Sequence, residues 1–176
     1  MRKPVDSSSL LKFMEELGKR ATTPGTIYLT GGATALLLGI RQQTIDIDIK
    51  MDPEPGGVFE AINDLKNRLD LNIELASPDH FIPQLPGWRN RSAEIGTFSH
   101  VLFKHFDFYS QALSKIERGF DRDISDVTAF CNLGLVDLSE LERLAQAIRA
   151  DLIRYPAIDA DDFYRKLTDF ISRQAG

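Results

Sequence analysis

Two short stretches decide the fold: Thr30-Gly-Gly-Ala-Thr34 and, ten residues later, Thr44-Ile-Asp-Ile-Asp-Ile-Lys50. The first follows the mostly apolar run 27–30 and places two adjacent glycines between a predicted strand and an apolar helix. The second alternates isoleucine with polar residues, a pattern typical of a strand buried on one face only. Because side chains alternate along a strand, Asp46 and Asp48 share a face, with Cα atoms about 6.5 Å apart.

This aspartate pair is a candidate metal site. Two carboxylates at such a distance repel one another unless a cation lies between them. Their oxygens suit Mg²⁺, which commonly takes one or two carboxylates together with substrate phosphates. Gly31 and Gly32 would let a phosphate approach the backbone at a helix N-terminus. The alternatives are that the glycines form only a tight turn and that Asp46 and Asp48 lie on a solvated strand face.

The composition is that of an ordinary globular protein. The chain has 176 residues, of which 43% are hydrophobic and 27% charged, and its net charge of −5 provides no general basic field for a nucleic acid. The single cysteine, Cys131, excludes an internal disulfide and a cysteine-rich zinc site. His80, His100 and His105 lack the spacing of zinc ligands. Without a signal-like apolar core or an apolar run of about 20 residues, we expect a cytoplasmic protein with no membrane contact.

The periodicity predicts an α+β (or α/β) fold, a mixed sheet flanked by helices. We predict strands at 27–30, 45–50, 71–75 and 101–106. Predicted helices cover 7–17, 33–38 and 58–69, with Phe59, Ile62, Leu65 and Leu69 facing inward. Four more begin at Asp107, at Asp121 or Asp123, at Ser139 and at Asp159. Residues 1–106 would form the core with its N-terminal helix, and residues 107–176 a helical portion packed on it in a single compact unit.

Several of these features together resemble the nucleotidyltransferase fold, the DNA polymerase β-like superfamily, and within it the minimal and AbiEii-like branches. The resemblance covers 27–50 well and 113–127 more loosely. The motifs that carry it are Gly31-Gly32, Gly39-Ile-Arg41-Gln-Gln-Thr44, Asp46-Ile-Asp48, Lys115-Ile-Glu-Arg118 and Arg122-Asp-Ile-Ser-Asp126. In that superfamily the glycine turn holds a triphosphate and the Asp-x-Asp pair binds divalent metals.

The resemblance therefore implies roles for particular residues here. It implies a metal site and catalytic set at Asp46 and Asp48, with a third carboxylate on a later strand. Glu74 is our choice because its segment alternates, and Asp79 and Asp107 are rivals. Asp123 and Asp126 are interpreted either as part of that pattern or as helix-capping acids. The residues expected to bind the nucleotide are Gly31, Gly32, Arg41, Thr44, Lys115 and Arg118.

The expected function is transfer of a nucleoside monophosphate from an NTP to a hydroxyl of RNA, protein or a small molecule. Mg²⁺ or Mn²⁺ would be the cofactor, and the AbiEii-like branch implies a link to toxin–antitoxin systems. The alternative is a catalytically weak member that binds nucleotide or a protein partner, as an antitoxin-like module would. A third interpretation is a binding module in which the aspartates are only surface. Trp88 would either stack on a base or fill the core.

Overall fold

A computed structural model describes residues 1–176, and it confirms the α+β class and the C-terminal run of helices. The strands are β1 (Gly25–Thr30), β2 (Asp46–Met51), β3 (Asn72–Glu74), β4 (Glu94–Phe98) and β5 (Val101–His105). The helices are α1 (Ser7–Arg20), α2 (Gly31–Leu37), α3 (Val58–Arg68), α4 (Trp88–Arg91), α5 (Phe108–Arg118), α6 (Asp121–Asn132), α7 (Leu138–Ala147) and α8 (Ala160–Ala175). Two 3-10 segments complete the chain, at Pro78–His80 and Arg149–Arg154. None of the helices combines the length and the apolar character needed to cross a membrane.

The chain divides into two units. The first, the sheet unit, comprises residues 1–77 and 92–106, and the second, the helical unit, comprises residues 78–91 and 107–176. The segment 78–91 therefore groups with the C-terminal helices. The packing of the two portions into a single compact unit stays a prediction.

The sheet unit contains a five-stranded mixed sheet in the order β3-β2-β1-β5-β4. β1 runs antiparallel to β2 and parallel to β5, while β2 and β3 are parallel. The inward isoleucines of β2, Ile47 and Ile49, are 0% and 1% exposed and join the core with side chains of α1 and α3. The alternation of β2 therefore leaves Asp46 and Asp48 together on the other face, as predicted.

The predicted helical stripe of α3 is wrong at one position. Phe59 is 53% exposed, although it was expected to face inward. The buried residues of α3 recur at helical spacing from the first residue of the helix: Val58, Ala61, Ile62 and Leu65. Phe59 lies outside this stripe because one residue along a helix is a rotation of about 100°, and the stripe is centred near Val58 and Ile62.

The helix starts were predicted with mixed success. Asp107 and Asp159 cap α5 and α8 as expected, since each side chain accepts a backbone N–H in the first turn. The predicted start at Ser139 is wrong, because the Asp137 carboxylate accepts the N–H of Glu140 and begins α7 earlier. Neither Asp121 nor Asp123 caps α6, because its N-cap residue is Phe120 and both aspartates lie in its first turn.

β4 was not predicted from the sequence. It runs antiparallel to β5, with an irregular register between Glu94 and Gly96. Its sequence, Glu-Ile-Gly-Thr-Phe, has weak alternation, and only Ile95, Gly96 and Phe98 are even partly buried. Pairing with β5 therefore stabilises this strand more than its own pattern does.

The helical unit has its own buried contacts. Arg91 donates from Nε and Nη2 to the two carboxylate oxygens of Asp107, at 3.0 and 2.8 Å, and Asp107 is fully buried. The paired groups tie the end of α4 to the start of α5. Trp88 is 4% exposed, so it fills the core, as the simpler of its two interpretations predicted.

Candidate functional site

Four polar side chains of β2 and β3 form what we call the acidic patch: Asp46, Asp48, Asn72 and Glu74. The parallel register pairs Asp46 with Asn72 and Asp48 with Glu74. Ile47 lies opposite Ile73 in the same register, and both are buried, so the four polar residues share the other face. The structure thus brings the predicted third carboxylate to the strand next to the aspartate pair.

Asn72 connects two members of this patch. Its Nδ2 donates to Asp46 Oδ1 at 2.5 Å and to Glu74 Oε1 at 3.0 Å. Asn72 was not among the predicted site residues. The available signal was its position two residues before Glu74 in a short alternating strand, which places both side chains on one face.

The glycine turn reaches the same patch. Thr30 pairs with Asp48 in the antiparallel β1–β2 register, and Gly31 follows with φ +60°. A Cβ atom on Gly31 would lie 2.9 Å from Asp48 Oδ2, so the carboxylate already occupies the position beside the turn. Glycine is needed here both for the left-handed backbone and for the close approach of Asp48.

The side chain of Thr44 packs directly against the backbone of Gly32. A Cβ atom on Gly32 would lie 1.9 Å from Thr44 Oγ1, which means that the threonine side chain fills the space a larger residue would need. Thr44 is 7% exposed, and its backbone exchanges hydrogen bonds with Val5 at 2.7 and 2.9 Å. This contact holds the loop before β2 against the start of α2.

His105 contacts α2 from β5, the strand that flanks β1 on the side opposite β2. It pairs with Leu29 in the β1–β5 register, and its Nδ1 lies 3.1 Å from Thr34 Oγ1, whose hydroxyl donates to the Leu29 carbonyl. Burial lowers the pKa of His105 to about 4, so the ring is neutral at neutral pH.

Two of the three predicted basic residues, Lys115 and Arg118, lie in the helical unit. Lys115, only 5% exposed, contacts Asp126 Oδ2 at 2.7 Å and Asp123 Oδ1 at 3.1 Å. Arg118 Nη2 contacts the same oxygen of Asp123 at 2.8 Å. These four residues, Lys115, Arg118, Asp123 and Asp126, form what we call the charge cluster.

The charge cluster is electrostatically balanced, with two cations and two carboxylates. Burial alone would raise the pKa of Asp123, but the charge of Lys115 and hydrogen bonds from Lys115 and Arg118 outweigh it, so the pKa lies below its ordinary value. Asp123 and Asp126 are thus partners of Lys115 rather than capping acids.

The three carboxylates considered for the third position have different surroundings. Asp107 is buried against Arg91 and caps α5, and Asp79 accepts a hydrogen bond from Gln84 at 3.2 Å; both belong to the helical unit. Glu74 alone of the three lies in the acidic patch. Arg41 is in the sheet unit and is half-buried in the loop after α2. Its backbone N–H donates to the Ala35 carbonyl at 3.2 Å.

The donor chemistry of the acidic patch suits a hard divalent cation. Its carboxylates supply only oxygen ligands, which Mg²⁺ and Mn²⁺ favour. No group of three or more His, Cys, Asp or Glu side chains is arranged to hold a metal ion as the side chains stand. Asp46 and Asp48 therefore form the candidate centre, with Glu74 one strand away and oriented by Asn72.

Comparison with known proteins gives one match. A family model described as a nucleotidyltransferase of unknown function (DUF6036) matches residues 8–174, nearly the whole chain. No curated protein and no solved structure matches the chain. The match includes the glycine turn, the acidic patch and the charge cluster.

Proposed function

Since the chain belongs to this family of nucleotidyltransferases of unknown function, we propose that it transfers a nucleoside monophosphate from an NTP to a hydroxyl group. The observation that carries the proposal is the approach of Asp48 Oδ2 to the Gly31 turn, beside Asp46. A phosphate-binding turn and a carboxylate pair must be neighbours if one triphosphate is to contact both. The acceptor hydroxyl would belong to RNA, protein or a small molecule.

The glycine turn would bind the triphosphate. Because Gly31 carries no side chain, a phosphate could approach the turn closely next to Asp48. Gly32 and Thr44 would line the same turn, and the guanidinium of Arg41 would offset part of the phosphate charge. The resemblance assigns the same task to Lys115 and Arg118, and that assignment stays a prediction.

Asp46 and Asp48 would hold Mg²⁺ or Mn²⁺, with Glu74 as the third carboxylate. When bound, such a cation neutralises the phosphates and stabilises the attacking and leaving oxygens of the transfer. Glu74 is the exposed member of the carboxylate set, so it is the group that an acceptor hydroxyl would approach from solvent. Asp46 and Asp48, both half-buried, would remain on the nucleotide side.

The test combines binding with turnover. We would follow thermal stability and pyrophosphate release while titrating Mg²⁺ or Mn²⁺ with ATP, GTP, CTP and UTP. Wild-type protein should be stabilised by metal and nucleotide together, and Asp46→Asn and Asp48→Asn should abolish the effect. Glu60→Gln, an exposed carboxylate on α3, is the control and should behave like wild type. A wild-type protein indifferent to every metal–nucleotide pair would rule the proposal out.

A second candidate is a nucleotide-binding or partner-binding module with weak catalysis. It is favoured by the absence of a ready three-carboxylate arrangement and by the hydrogen bond that engages Glu74. Such a module would be stabilised by nucleotide. It would release no pyrophosphate when RNA, protein or small-molecule acceptors are added. Release that depends on Glu74 would favour the transferase instead.

A further inference from the structure

The amide of Asn72 lies between carboxylates of two strands. Asp46 Oδ1 and Glu74 Oε1 both accept from its Nδ2, so both amide hydrogens are used. An ionised carboxylate only accepts hydrogen bonds, which means that the nitrogen of the amide, and not its oxygen, must face this pair. The chemistry of the neighbours thus determines the orientation of the side chain.

This arrangement offsets repulsion without adding charge. Neighbouring strands are about 4.8 Å apart, so Asp46, Asp48 and Glu74 concentrate negative charge in a small area of one sheet face. Hydrogen bonds to ionised acceptors are stronger than neutral ones. A lysine at the same position would also offset the repulsion, but it would compete with a cation for the carboxylates.

We propose that Asn72 is a positioning residue of the metal site. Its amide holds one oxygen of Asp46 and one of Glu74, and so sets the direction of the other oxygen on each carboxylate. The inference rests on the proposed function, because it assigns the patch a divalent cation. Hydrogen-bonded partners of metal ligands commonly change metal affinity by about 10–100-fold when they are removed.

The residue type fits this role. Aspartate at position 72 would place a further carboxylate against Asp46 and Glu74. Serine or threonine has one hydroxyl proton and would reach only one of the two carboxylates. Asparagine supplies two donors on one nitrogen with no net charge.

The test measures Mn²⁺ affinity directly, by calorimetry and by electron paramagnetic resonance of free Mn²⁺, without nucleotide or turnover. Asn72→Ala should weaken Mn²⁺ binding about 10-fold. Asn72→Thr should weaken it less, since it retains one donor, and its β-branched side chain suits a strand. Asn63→Ala, an exposed asparagine on α3, is the matched control and should leave the affinity unchanged.

A double-mutant cycle separates positioning from a general structural effect. If Asn72 acts partly through Glu74, Asn72→Ala should cost less affinity in a Glu74→Ala background than in wild type. Losses that simply multiply would contradict the bridge between the two residues. Thermal unfolding without added metal shows whether each variant is folded, and if Asn72→Ala is not, Asn72→Thr carries the test.

Two failures are distinguishable. If wild-type protein binds Mn²⁺ no better than Asp46→Asn/Asp48→Asn, the proposed metal site is wrong and this inference falls with it. If wild type binds Mn²⁺ and both Asn72 variants bind it equally well or more tightly, the positioning role is wrong while the proposed function stands.

Discussion

The acidic patch and the charge cluster each join two carboxylates through one nitrogen, but the nitrogens differ. Asp46 and Glu74 share the neutral amide of Asn72, whereas Asp123 and Asp126 share the ammonium of Lys115. In the charge cluster the negative charge is already balanced within the protein. In the acidic patch the bridging amide adds no positive charge of its own, which suits a cation-binding site. The charge of the bridging donor, more than the number of acids, therefore distinguishes a structural cluster from a candidate metal centre.

The largest expected effect is the loss of Lys115. Lys115→Met keeps the apolar stem but leaves Asp123 and Asp126 buried without their shared cation, and this should lower the free energy of unfolding by about 3–5 kcal/mol. Chemical denaturation measures the change. Lys12→Met, on the exposed face of α1, should have little effect. A loss below about 1 kcal/mol would place the cluster among ordinary surface ion pairs and would contradict its assignment as a buried structural cluster.

The second prediction contrasts one aspartate from each region. Wild-type protein should gain about 2.7 kcal/mol of stability when Mn²⁺ is present at about 100 times its dissociation constant. Asp46→Asn should lose this gain, because the ligand is gone, while its stability without added metal should change little. Asp123→Asn should do the opposite, with lower stability throughout and an intact response to Mn²⁺. The measurement is thermal unfolding of both variants with and without Mn²⁺. If both variants lost the same stability and responded equally to Mn²⁺, the two regions would not differ in kind.

A third prediction uses pH. The folded-state pKa of Asp123 is below its ordinary value of 3.8, so the unfolded chain binds the proton first. The stabilisation from Asp123 is therefore complete above that value and is lost as the pH falls below it. Urea unfolding from about pH 6 to about pH 3 should show a shallower loss of stability in Asp123→Asn than in wild type. Parallel curves would mean that the ion pair contributes nothing to the acid sensitivity.

The smallest effect is expected at Arg118. Its side chain is 43% exposed, and Asp123 keeps Lys115 as a partner when Arg118 is replaced. Arg118→Met should therefore cost about 0.5–1 kcal/mol in denaturant unfolding, close to a surface ion pair. If the resemblance is right about this residue, the same variant should also bind NTP more weakly. A stability loss as large as that of Lys115→Met would show that the two cations are equivalent.

Local rules account for the parts of the fold that were predicted. The isoleucine–aspartate alternation of β2 decides which side chains share a face, and the caps at Asp107 and Asp159 need only neighbours within one turn. The start of α7 was misplaced because Asp137 and Ser139 are both good capping residues, and only the hydrogen bond to Glu140 distinguishes them. β4 was missed because its own pattern is weak and its stability depends on pairing with β5.

The glycine turn, the aspartate pair, the strand face that the aspartates share and the family of the chain can all be recognised from the amino-acid sequence. Three contacts depend on the folded chain: Asn72 meets Asp46 across 26 residues, Asp48 approaches Gly31, and Lys115 is buried between two aspartates. The physical reason is that strand register and helix packing are set by contacts between distant residues. Periodicity, by contrast, reports only which side of its own element a residue occupies.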